Sequence, residues 1–336
     1  MSRELPARAR LAALTPRRRR ALGARSRLLL EAVGRPVSRP ALGALLSALE
    51  ALDESELWLA LAVLHAELPT PSQVRRLRRS RELDGGWGAL DQLLEDAPRR
   101  RGERGAPVPV RVVSDVVLMD VTGLLPGDSV APGLGAARQL ARAWSREAGI
   151  LPVAWGGSRR RLRELEDEER RAIGLAAPAG RLLGATETAL VPHRAAYLLV
   201  GAVQLPRSAE RIIALGESSA NRSGSVGYGL GPLLRAEEHP PQKGEARFSW
   251  HLAAQRSLER LVVLGDGDTR EYEGWRRMLS AVGRPGPELH GFALPADAAG
   301  VAGSITAPGS SAAWLALAGD AGAVLGLAGG RTAAAP

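Results

Sequence analysis

Asp120-Val121-Thr122-Gly123 closes a valine-rich apolar run that begins at Val110, and Gly133-Leu134-Gly135 opens a helical pattern that reaches about Glu147. A carboxylate at the end of a strand and glycines at the mouth of a helix are residue types that can hold polar or anionic ligands. In open α/β sheets ligands lie outside the carboxyl ends of the strands. A glycine-rich loop entering a helix lets backbone N–H groups approach a phosphate, and the helix dipole favours the anion. The spacing leaves two readings open, an anion cradle or a plain turn. It excludes the dinucleotide fingerprint, because the position that would carry the third glycine is Arg138.

Other chemistries find little footing. The five histidines (His65, His193, His239, His251, His290) show no H-x-x-x-H or H-E-x-x-H spacing, so no metal site is expected. Ser218, Ser219 and Ser223 surround Asn221 without a G-x-S-x-G elbow. The single lysine, Lys243, lies outside any phosphate-binding P-loop pattern. With no cysteine there is no disulfide framework, Cys-ligated zinc or thiol nucleophile. Glu164, Glu166, Asp167, Glu168 and Glu169 alternate with Arg159–Arg163, Arg170 and Arg171, the sign pattern of a solvated helix face and not of a paired-carboxylate site. Glu271–Leu279 reads as an amphipathic helix that docks Tyr272, Trp275 and Leu279 on a sheet.

Charge is concentrated at one end. The chain of 336 residues carries net +9, and residues 1–40 hold eleven arginines against Glu4 and Glu31. The remaining 34 bases meet 34 acids, so the body is neutral and a basic nucleic-acid-binding body is excluded. Twelve aromatic residues also argue against a base-stacking surface. Within the arm Ala21–Val33 can form a short helix; the rest is expected to be flexible, with contact to anionic surfaces open to it. No transmembrane segment is expected: the most apolar late run, Ala312–Ala328, contains Asp320 and three glycines. The expected location is the cytoplasm, with peripheral attachment to a membrane open through the arm.

The elements that must position these residues fall into five segments. After the arm (1–40), residues 41–96 read as a small helical unit. Leu42, Leu45, Leu46, Leu49 and Leu52 form one apolar stripe, Asp53 with Glu56 forms a capping box, and Thr70-Pro71-Ser72-Gln73 starts a further helix that Gly85-Gly86 stops. Residues 97–109 are a Pro/Gly/Arg linker. From Val110 strands and helices alternate. Strands are expected at Val110–Val121, Ile150–Trp155, Tyr197–Val200, Ser225–Leu230, Leu261–Leu264 and Leu289–Leu294. Helices are expected at Gly133–Glu147, Ser158–Ile173, Ser208–Glu217, Glu245–Ser257 and Thr269–Val282. The fold class is α/β: one doubly wound, mostly parallel Rossmann-like sheet over 110–295, preceded by the helical unit. Residues 296–336 hold 15 Ala and 8 Gly and read as a low-complexity tail in which Ala312–Leu317 can form a helical turn.

The order of pieces resembles the N-terminal, acceptor-side half of retaining GT-B glycosyltransferases of the family 4 type. The matching pieces are Met119-Asp120-Val121-Thr122, the Gly133-Leu134 turn, Leu151-Pro152-Val153-Ala154-Trp155 and Ser225-Val226-Gly227-Tyr228. They continue through Pro232-Leu233, Phe248 with Leu252, and Glu271–Leu279 to Leu294-Pro295. Leu57–Leu61, Glu67-Leu68-Pro69-Thr70 and Leu83-Asp84-Gly85 look like an extension that precedes such domains, so the resemblance covers roughly residues 41–295. It implies transfer of a sugar from a nucleotide-sugar donor, with no bound metal and no other cofactor. It implies a substrate-binding surface at Asp120, Gly133, Gly135 and Tyr228, and leaves the catalytic residues unassigned. A glycan acceptor and a partner glycosyltransferase are the implied partners. Several polar positions of the family have become small: the loop arginine is absent from Pro132–Ala137, and Gly229, Gly231, Val200-Gly201 and Gly265 stand where the family carries other residues. The family's donor-binding domain would begin after Pro295, where this chain has the Ala/Gly-rich tail. The expectation is a truncated protein, weakly active or inactive alone, with a non-catalytic acceptor- or partner-binding module as the alternative.

Overall fold

In the computed structural model, the described residues are 4–37, 41–97, 107–126, 133–147, 149–156, 159–175, 188–203, 205–231, 245–293 and 312–325. They form an α/β fold: a nine-stranded sheet with helices on both faces. The strands are β1 (Val110–Val113), β2 (Val117–Asp120), β3 (Ile150–Trp155), β4 (Leu162–Glu164), β5 (Ala189–Pro192), β6 (Ala196–Leu199), β7 (Arg222–Gly227), β8 (Arg260–Leu264) and β9 (Glu288–Phe292). Their order is β1-β5-β4-β3-β2-β6-β7-β8-β9, and only β4 runs antiparallel to its neighbours. Taken alone, β3-β2-β6-β7-β8-β9 is the 2-1-3-4-5-6 order of a doubly wound sheet, with its topological switch point between β2 and β6.

Eleven helices lie among the described residues: α1 (Glu4–Ala12), α2 (Pro16–Ala32), α3 (Ala41–Ala51), α4 (Glu54–His65), α5 (Pro71–Glu95), α6 (Leu134–Trp144), α7 (Asp167–Ile173), α8 (Pro206–Ser218), α9 (Glu245–Arg256), α10 (Asp266–Ala281) and α11 (Ala312–Leu325). Strand alternation divides the core in two. Leu118, Val153, Tyr197 and Leu199 face the helical unit and α8. Met119, Ala154, Leu198 and Val262 face α6, α7 and α11. The capping boxes expected at Asp53–Glu56 and Thr70–Gln73 are present, and the Gly85 break is a kink inside α5 (φ 62°, ψ −154°).

Four expectations need correction. Residues 1–40 are not a flexible arm where they are described, because α1 and α2 pack. Ala7, Leu29 and Leu30 are buried, Arg10 Nε donates to Asp91 Oδ1 at 2.8 Å, and Arg25 donates to the carbonyls of Leu64 and Val108, both at 2.8 Å. The run Val110–Val121 is two strands. Asp115 takes φ 55°, and the chain turns so that β1 joins the sheet edge beside β5 while β2 enters the centre. Ser158–Ile173 is not one helix. Arg159 N bonds to Gly156 O and Gly156 N to Arg161 O, which turns β4 back onto β3, and α7 starts afresh at a Glu166–Glu169 capping box. The tail contributes α11. Its small residues Ala318 and Ala321 let it lie close on α6, where Trp144 Nε1 donates to Ala318 O at 2.8 Å. Most of the 97–109 linker lies outside the described residues. Strand β5 was not expected, since four apolar residues ending in proline give too short a pattern.

Candidate functional site

The carboxyl ends of β2, β3 and β6 meet at Asp120. Its side chain points to the face of the sheet covered by α8, in step with Trp155 and Tyr197 from the neighbouring strands. It is 1% exposed. Oδ1 accepts from the backbone N–H of Thr122 at 2.9 Å and from the Thr122 hydroxyl at 2.6 Å. Oδ2 accepts from Trp155 Nε1 at 2.7 Å and from the Tyr197 hydroxyl at 2.5 Å. A carboxylate has about four acceptor sites, and here protein donors occupy all of them. Burial, reinforced by Asp120, pushes the Tyr197 phenol well above its ordinary range, so it stays protonated as a donor. Thr122 Oγ1 also accepts from Trp155 N at 2.9 Å, which ties three strands into one network.

Outside this hub is a shallow recess, about 310 Å³ counted out to solvent, lined by Thr122, Trp155, Arg159, Leu205 and Ser208 beside Asp120. Arg159 holds a left-handed backbone, φ 53°. On the switch-point side the recess is narrow. A Cβ placed on Gly123 would lie 2.5 Å from the backbone N and O of Ala202, so the loop after β2 rests on the loop after β6. The glycine at 123 permits this close approach.

Gly133 and Tyr228 meet farther along the same edge. Gly133 precedes α6 with φ 70°, and a Cβ there would lie 2.5 Å from the Tyr228 ring. The Tyr228 hydroxyl donates to Val200 O at 3.0 Å, and burial, with Tyr272 nearby, raises its pKa well above the ordinary value. Gly135 is the second residue of α6. Of the four residues implied by the resemblance, Asp120 thus stands with its donors, Gly133 lies against Tyr228, and Gly135 sits in the first turn of α6. Trp155, Tyr197 and Arg159 were not singled out by sequence reasoning as site residues. The available signal was the position of two scarce aromatics at strand termini.

Behind the recess, Val203 N donates to Nδ1 of the buried His251 at 3.3 Å, which requires a neutral imidazole with its proton on Nε2. Burial lowers the His251 pKa to about 4 from an ordinary 6.5. The unfolded chain therefore takes up this proton first. The stability from neutral His251 is full above pH ~6.5 and falls as pH drops towards about 4, by roughly 3 kcal/mol in total. Urea unfolding at pH 7 and pH 4.5 should show a smaller acid loss in His251→Gln than in the wild type. Equal losses would remove His251 from the acid response.

Among the described residues no three His, Cys, Asp or Glu side chains gather in a way that could hold a metal ion, and no helix is long and apolar enough to cross a membrane. Compared with family models, curated proteins and solved structures, the chain matches none.

Proposed function

We propose that this protein is a glycosyltransferase-like, acceptor-side module that binds a glycan acceptor or a partner glycosyltransferase and has little or no turnover of its own. Support for the class comes from the resemblance over residues 41–295 together with the doubly wound sheet, whose switch point falls at Asp120. The observation that carries the non-catalytic reading is the saturation of Asp120. A general base or nucleophile needs a free lone pair within reach of the reacting atom, and the four donors of Asp120 leave it none. The carboxylate instead fixes the Trp155 indole and the Thr122 loop as the wall of the recess. Sugar transfer would require a donor-holding domain opposite this edge, since positioning both reactants supplies much of the barrier reduction. Turnover tests the reading: the purified chain, offered nucleotide sugars and glycan acceptors, should release no nucleoside diphosphate above a buffer control. Release in proportion to protein concentration would overturn it.

A further inference from the structure

The first turn of α2 has a composition that its own stability does not explain. After the Thr15 cap and Pro16 come four consecutive arginines, Arg17–Arg20, and no acid. The N-terminus of a helix carries partial positive charge, so cations in that turn oppose helix formation. Arg19 has a structural task, because its Nη2 donates to the carbonyls of Ala12, Leu11 and Leu14 and closes the end of α1. Arg17, Arg18 and Arg20 are exposed, and their side chains make no hydrogen bond or ion pair among the described residues. Elsewhere arginines find carboxylates, as in Arg78–Glu54, Arg111–Glu164 and Arg163–Glu169. The patch is also rigidly held, since the body of α2 buries Leu29 and Leu30 and is fastened by Arg25.

We propose that Arg17, Arg18 and Arg20 form a docking surface for an anionic lipid bilayer, a role separate from the sugar chemistry proposed above. Charge complementarity supplies the attraction, and three cations on a fixed turn, unpaired among the described residues, present it. The surroundings favour lipid over nucleic acid. Residues 1–40 contain no aromatic side chain on which a base could stack. The adjoining helix α1 instead exposes Leu5, Ala9 and Ala12, apolar groups that suit the boundary between headgroups and acyl chains.

Co-sedimentation of the full chain with vesicles of phosphatidylcholine, with and without phosphatidylglycerol, tests this. Binding should require phosphatidylglycerol and weaken with salt. The triple variant Arg17→Gln/Arg18→Gln/Arg20→Gln should bind about a hundredfold more weakly, at a factor of about five per arginine. The charge-reversed variant Arg17→Glu/Arg18→Glu/Arg20→Glu should lose binding while its melting temperature rises, because acids suit the first turn of a helix. That rise separates lost docking from lost folding. Undiminished binding by either variant, equal binding to pure phosphatidylcholine, or retention of duplex DNA without vesicle binding would each overturn the proposal.

Discussion

Asp120→Ala should lower the free energy of unfolding by about 4 kcal/mol. The substitution removes the acceptor for four donors at once and leaves the Trp155 indole N–H, the Tyr197 hydroxyl and the Thr122 amide without partners in a buried setting. Each such orphan costs about 1–3 kcal/mol. The sum is tempered because the variant no longer has to bury a carboxylate. Tyr197→Phe removes one donor and should cost about 1–2 kcal/mol. The two changes should not add. In Asp120→Ala the tyrosine has already lost its acceptor, so deleting its hydroxyl as well should recover part of the loss. Urea unfolding of the wild type, both single variants and the double variant completes the cycle. Strict additivity would mean that the two groups are not coupled.

Gly133→Ala should cost about 2–4 kcal/mol, by two routes. The left-handed backbone at φ 70° penalises any Cβ by about 1 kcal/mol. The new methyl would also lie 2.5 Å from the Cβ and Cδ1 of Tyr228, a ring pinned by its hydrogen bond to Val200 O. Overpacking of that kind costs about 1–3 kcal/mol. Removing the ring should separate the two routes. In a Tyr228→Gly background, which removes the Cβ as well as the ring, the steric part disappears and Gly133→Ala should cost only the backbone part. An unchanged cost in that background would mean that the Gly133–Tyr228 contact is not what requires glycine.

Residues whose signal is local were legible in the sequence, and residues whose role depends on distant partners were not. The Asp53 and Thr70 capping boxes are complete within four residues and appear as read. The same kind of signal starts α2 at Thr15-Pro16. The eleven arginines of the segment outweigh it and only Ala21–Val33 reads as helical, because the acceptors that hold α1 and α2, Asp91 and the Leu64 and Val108 carbonyls, lie tens of residues away. The division of Val110–Val121 rests on a single left-handed residue, Asp115, which an apolar run does not announce. Helix α11 needed the indole of Trp144, more than 170 residues earlier, to be seen as part of the fold. At the candidate site, the position of Asp120 at a strand end could be read from the pattern. Its occupation by Trp155 and Tyr197 required the parallel register of β2 with β3 and β6.

That occupation is the central claim: a carboxylate at the switch point whose capacity is spent on the protein itself. The most direct measurement is release of free nucleoside diphosphate by the purified full chain, incubated at high concentration with uridine- and guanosine-diphosphate sugars and simple glycan acceptors. An Arg159→Ala variant, altered in the wall of the recess, serves as a second sample. A release rate equal to buffer for both proteins is the predicted result. Release that scales with wild-type protein and falls in Arg159→Ala would contradict the account and make the recess an active site.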